Sequence, residues 1–120
     1  MNIHPTVVMS LSARLDKTNP GGIHIGEGTY IAFDAAILAH DMTRAMKVDT
    51  RIGKNCFIGA RSIILPGIEI GDSCVVGSGS VVTKSIPAGC AVAGNPAKIL
   101  RENIETLKFG RLKDKVPEEK

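Results

Sequence analysis

Isoleucine or valine stands at positions 52, 58, 64, 70, 76 and 82, and the same interval of six links Ile25, Ile31 and Ile37. Neither the period of a helix nor the alternation of a simple strand produces that interval. Glycine or alanine follows the repeat position at Gly26, Ala32, Gly53, Gly59, Gly71 and Gly77. A small side chain recurs four places after it, at Thr29, Ala35, Cys56, Ser62, Cys74 and Ser80. Set out by eighteens, IGEGTY-IAFDAA-ILAHDM is followed by IGKNCF-IGARSI-ILPGIE and then IGDSCV-VGSGSV-VTKSIP. Each hexad reads as a short strand with one inward apolar residue, then a corner where small residues keep the backbone close. Three hexads complete a three-sided turn, and successive turns stack about 4.8 Å apart through parallel strand pairing.

The flanks keep the pattern less well. Residues 3–24 read as an earlier, degenerate coil in which Val7, Ala13 and Asn19 hold the phase. Asn19-Pro20-Gly21-Gly22 then breaks it as a turn. Beyond Pro96, Leu100, Ile104 and Leu107 recur at i, i+4 and i+7, the spacing of a short amphipathic helix that should stop near Gly110. The closing RLKDKVPEEK reads as a solvated, frayed tail. The chain accordingly divides into a coil domain over residues 1–102 and a C-terminal helix and tail over residues 103–120.

Composition supports strands over helices. Fourteen Ile and nine Val stand against no Trp, one Tyr and three Phe, so the core is built from β-branched residues. The formal charge of +3 is too weak and dispersed for nucleic-acid binding, and aromatic stacking platforms are lacking. It still suits a small anionic ligand. The start MNIHPTVVMS has no basic stretch followed by a long apolar run, as a secretory signal would. No apolar run approaches membrane-spanning length. Cys56, Cys74 and Cys90 lack metal-type spacing, and a cytoplasmic protein with reduced thiols is expected. Cys56 and Cys74 fall in one column and read as small stacked core residues.

These hexads resemble the hexapeptide-repeat acyltransferase family over about Ile25 to Arg101. The segment VGSGSVVTKSIPAGCAVAGNPAKILR is similar to the end of its sugar O-acetyltransferases and serine acetyltransferases. The resemblance implies an all-β fold, a left-handed parallel β-helix of hexapeptide repeats followed by the short C-terminal helix. It also implies a homotrimer with active sites between subunits, and acetyl-CoA as the acyl donor. Spacing alone does not give the left hand, since parallel crossovers are normally right-handed.

The repeat breaks most clearly at ILAHDM. Asp41 takes the column of Ile68 and Ile86, His40 that of Gly67 and Ser85, and the next repeat residue after Ile37 is Ile52. An excursion through TRAMKVDTR must therefore leave the coil after the His-Asp pair, and such breaks concentrate at functional sites. A neutral imidazole is a suitable general base for acyl transfer from a thioester, and a carboxylate can fix its tautomer. The resemblance implies that role for His40, since a His in a comparable place takes the acceptor's proton. Asp41 is the candidate partner, although neighbours on a strand point to opposite faces. His4 and His24 have no such setting and are expected at the surface or in corners. In the family, segments matching Gly77-Ser78-Gly79 and Ala93-Gly94-Asn95-Pro96-Ala97 line the donor groove. Gly59, Gly77, Ser78, Ala93 and Gly94 are expected along it, with Lys84, Lys98 and Arg101 as cations for its phosphates. Glycines that merely turn corners and lysines that are merely solvated are the plainer alternative.

The acceptor expected is a hydroxyl of a saccharide or saccharide precursor. Serine or amino-sugar acetylation stands second, because serine acetyltransferases carry a long N-terminal helical region without counterpart in these residues. A γ-class carbonic anhydrase shares the β-helix but needs three His around zinc, and IGARSI and ILPGIE supply none. No metal is expected. A non-catalytic β-helix would neither bind CoA nor release it from acetyl-CoA. Arg44, Lys47 and Arg51 against Asp49 give the excursion a basic bias toward acidic or phosphorylated acceptors.

Overall fold

A computed structural model describes residues 1–113. The solvated tail expected from residue 111 lies mostly outside the described residues. Three strands make each turn of a left-handed parallel β-helix. The first turn holds β1 (Asn2–Ile3), β2 (Val8–Met9) and β3 (Arg14–Leu15), and the second β4 (Ile23–Ile25), β5 (Tyr30–Ile31) and β6 (Ala36–Ile37). A hairpin of β7 (His40–Asp41) and β8 (Met46–Lys47) follows. The third turn holds β9 (Thr50–Ile52), β10 (Phe57–Ile58) and β11 (Ile63–Ile64), and the fourth β12 (Glu69–Ile70), β13 (Val75–Val76) and β14 (Val81–Val82). The coil ends in β15 (Ala91–Gly94) and β16 (Ala97–Arg101).

Stacked turns give three faces: β1-β4-β9-β12, β2-β5-β10-β13-β15 with β16 at its edge, and β3-β6-β11-β14. All pairs are parallel except β15 with β16 and the β7–β8 hairpin. Repeat residues from Ile25 to Val82 fill the interior, and the small column is fully buried at Thr29, Ala35, Cys56, Ser62, Cys74 and Ser80. Its hydroxyls are satisfied by neighbouring coils, as burial requires. Thr29 Oγ1 donates to Gly53 O at 2.7 Å, Ser62 Oγ donates to Gly77 O at 3.0 Å, and Ser80 Oγ accepts from Gly94 N at 3.2 Å. The three cysteines are free and buried, and Cys56 and Cys74 donate to Gly71 O and Pro87 O, each at 3.2 Å. The Cys74 thiol beside it, together with burial, pushes the Cys56 thiol up.

Two expectations change. The degenerate first coil is real, but its phase is not that of Val7, Ala13 and Asn19. Ile3, Met9 and Leu15 pair with Ile25, Ile31 and Ile37, so they hold the inward repeat column. Val7 and Ala13 fall in the small-residue column and pack against the core. A 3₁₀ turn at Pro20–Gly22 inserts the residues that shift the register. The second change is the C-terminal helix. Its stripe is not assembled: Leu100 is exposed while Ile104 is buried, and Asn103 adopts a left-handed φ of 56°. Instead Ala97–Arg101 forms β16, and Lys108–Gly110 forms a 3₁₀ turn. Unsatisfied edge groups of β15 explain the preference, since an open coil end must pair or be covered. Residues 103–113 then fold back onto the second face. Thr106 Oγ1 donates to Asn55 O at 2.6 Å, Phe109 N to Gly28 O at 2.6 Å, and the Phe109 ring meets Tyr30 edge-on.

Candidate active site

The candidate base, His40, stands at the corner that ends the third face. Thr18, His40, Gly67 and Ser85 succeed one another along it, from the first turn to the fourth. At His40 the backbone departs from the coil as the β7–β8 hairpin, which sets His40 opposite Lys47 and Asp41 opposite Met46. The base of the hairpin is tied down from the coil. Val48 N donates to Ala39 O at 3.0 Å, and Asn19 Nδ2 donates to both Ala39 O and Val48 O, at 2.9 and 3.1 Å. Thr50 Oγ1 donates to Leu38 O at 2.6 Å.

His40 is half-buried. Its Nδ1 lies 3.0 Å from Thr18 Oγ1, which donates to Asp16 Oδ1 at 2.5 Å. Asp16 also accepts from Thr18 N at 3.0 Å and, on its other oxygen, from Ala39 N at 3.0 Å. The Thr18 hydroxyl, aided by the Ala39 and Thr18 amides and the nearby His40, holds the Asp16 carboxyl below its ordinary value. Asp41, the sequence candidate for orienting His40, is engaged elsewhere. Arg44 Nε donates to its Oδ2 at 2.7 Å and Arg44 N to its Oδ1 at 3.1 Å, which keeps the carboxyl low and ties the hairpin turn. The carboxylate joined to His40 is therefore Asp16, through a threonine. Sequence reasoning missed both because the inserted turn hid their column. An Asp-Lys-Thr-Asn run just before Pro-Gly-Gly was the available signal.

The expected donor-groove residues divide among corners. Gly59, Gly77 and Ser78 lie at the corner that begins the third face, and Ala93, Gly94 and Lys98 in the β15–β16 hairpin stacked on it. Lys84 lies on the His40 corner, two turns further along. Arg101 pairs with Ala91 at the far end of the second face. Gly59 and Gly77 have an internal reason to be small. A Cβ on Gly59 would lie 2.6 Å from Ser78 N and Val76 O, and one on Gly77 3.0 Å from Ala93 Cβ. Gly79, at a φ of 72°, has nothing within 4 Å of a Cβ, so this is where a ligand can reach the corner.

His24 takes the first of its two expected settings, the outer surface of the coil. It stands within β4 on the outer side of the first face, largely covered, with Nε2 3.5 Å from Asp49 Oδ2. His4 is bonded locally to Thr6. Among the described residues no three His, Cys, Asp or Glu side chains are grouped to hold a metal ion. No helix among them is long and apolar enough to cross a membrane.

A family profile described as the hexapeptide repeat of succinyl-transferase matches residues 49–84. The Bacillus subtilis (strain 168) protein YvoF, whose name assigns it provisionally to the acetyltransferases, is 38% identical over 104 residues, covering 83% of this chain and 59% of YvoF. The chain thus spans little more than half the length of that relative. A maltose O-acetyltransferase from Clostridium difficile 630 superposes with a TM-score of 0.64 at 28% identity, over 84% of this chain and 68% of that one. A galactoside acetyltransferase in complex with coenzyme A superposes with a TM-score of 0.55 at 25% identity, over 81% and 64%. Its repeat, its coil and these likenesses agree in giving the chain the hexapeptide repeat and the left-handed parallel β-helix of the hexapeptide-repeat acyltransferases.

Proposed function

We propose that the chain transfers an acetyl group from acetyl-CoA to a hydroxyl of a saccharide or saccharide precursor, with His40 as general base. One observation carries the reading: His40 sits half-buried where the coil opens, with Nδ1 tied back to the coil through the Thr18 hydroxyl at 3.0 Å. In the step, Nε2 takes the proton of the acceptor hydroxyl as its oxygen attacks the thioester carbonyl carbon. The tetrahedral intermediate then expels the CoA sulfur, which receives that proton from the imidazolium. The products are an acetyl ester and free CoA thiol. Base assistance of this kind is worth about 10² to 10⁴ in rate.

The donor would run along the corner at Ser78 and Gly79, beside Ala93 and Gly94, with Lys98 available to its phosphates. In one chain the whole third face separates that corner from His40. A thioester held there meets His40 only if it belongs to a neighbouring copy, which supports the homotrimer with shared sites. Beyond Arg14, the outer row of the third face is apolar at Ala36, Ile63 and Val81, and Ile63 remains 37% exposed in the single chain. Three free thiols fit a cytoplasmic setting.

His40→Ala is expected to lower acetyl transfer at least about a hundredfold while CoA binding stays near the parent value. Thiol release from acetyl-CoA, screened across free sugars, nucleotide sugars and amino acids, measures the first, and calorimetry the second. Undiminished transfer by the variant removes His40 from the mechanism.

A further inference from the structure

We propose that Asp16 and Thr18 are positioning residues for His40: the carboxylate, acting through the threonine hydroxyl, holds the ring as the Nδ1–H tautomer with the Nε2 lone pair bare. The inference rests on the reading of His40 as base.

The direction of each hydrogen bond follows from counting protons. An ionised carboxylate only accepts, and a hydroxyl has one proton to give. Thr18 Oγ1 lies 2.5 Å from Asp16 Oδ1, so that proton is committed to Asp16. At 3.0 Å from His40 Nδ1 the same oxygen can then only accept, and Nδ1 must carry the ring proton. In a neutral imidazole the other nitrogen is left as acceptor. Asp16 stays ionised because the Thr18 hydroxyl and the Ala39 and Thr18 amides all donate to it. The Ala39 amide also fixes the carboxylate to the residue immediately before His40.

Other charges near the ring do not supply a competing acceptor. Asp41 has both oxygens engaged by Arg44. Lys47, opposite His40 in the hairpin, is a donor only. Free imidazole exchanges between tautomers, and a base with its proton on the wrong nitrogen is idle. The relay removes that loss. When Nε2 takes the acceptor's proton, the new positive charge is already aligned with Thr18 and the Asp16 carboxylate, and no proton needs to leave Nδ1.

The test reads the tautomer directly. Long-range ¹H–¹⁵N correlation spectra of the labelled full chain report which ring nitrogen is protonated, with His40 assigned by its absence from His40→Gln. The parent is expected to show Nδ1–H in the neutral ring. Thr18→Val, which keeps the shape and removes the hydroxyl, is expected to move the population to Nε2–H, and Thr18→Ser to restore Nδ1–H. In parallel, kcat is expected to fall about 10- to 100-fold in Thr18→Val at unchanged KM for acetyl-CoA, and to recover in Thr18→Ser. Asp16→Asn provides a second route to the same loss should Thr18→Val not fold. A parent spectrum with the proton on Nε2, or Nδ1–H persisting in Thr18→Val, overturns the proposal. Because the spectra need no turnover, an inactive chain with the expected tautomers would count against the acetyltransferase reading alone.

Discussion

Asp16 is a half-buried carboxylate that receives three donors, and those donors, the Thr18 hydroxyl foremost, hold its acid form off. A carboxyl whose folded value lies below its unfolded one, here 3.8, stabilises the fold above that unfolded value. The contribution fades as pH falls through the lowered folded value. Asp41, held low by Arg44, acts with the same sign. Between about pH 5 and pH 2, therefore, Asp16→Asn is expected to lose less stability on acidification than the parent, read from thermal midpoints across that range. A parallel fall in both proteins would show that the Asp16 interactions contribute nothing to the acid limb. His40 was legible as a break in a column of small residues. Its partner was not, because adjacency in sequence favoured Asp41, whereas the stacking of coils placed Thr18 directly beside it.

At the scale of elements, the glycines that follow repeat residues are explained by the spacing of turns. Adding a methyl group at Gly59 sets carbon against backbone atoms of the next coil, which cannot yield as a flexible side chain would. Gly59→Ala should cost about 1–3 kcal/mol, measured by the midpoint and slope of denaturant unfolding. Gly21→Ala is the matched control: nothing lies within 4 Å of its Cβ, and the change should stay within about 0.5 kcal/mol. Equal midpoints for the two variants would contradict the stacking account. The C-terminal helix failed for a related reason. Three apolar residues at helical spacing are a local signal, and the local signal lost to an unpaired strand edge at the end of the coil, which Ala97–Arg101 satisfies. Leu100 faces outward, while Ile104 packs on the second face together with Thr106 and Phe109.

For the molecule as a whole, the three faces differ in what they offer. The first carries the polar row Asn2, His24, Arg51 and Glu69, the second the stacked rings of Tyr30 and Phe57 beside the C-terminal segment's Phe109, and the third Arg14 followed by the apolar Ala36, Ile63 and Val81. If His40 and the glycine corner act across a subunit boundary, two inactive variants should rescue each other. Mixing His40→Ala with Ser78→Trp during refolding is expected to restore a clear fraction of parent activity, because some shared sites then receive both intact halves. Mixtures as inactive as their components would place the site within one chain. From Ile25 onward the hexad repeat by itself determined the coil, its inward residues and the break at His40, since each depends only on spacing along the chain, whereas the first turn's inward residues, Ile3, Met9 and Leu15, needed the structure. Which groups meet across turns, Thr18 with His40 and Asp16 behind it, was decided only by the tertiary structure. The turn at Pro20–Gly22 changes the register, and contact between coils depends on that register rather than on distance in sequence.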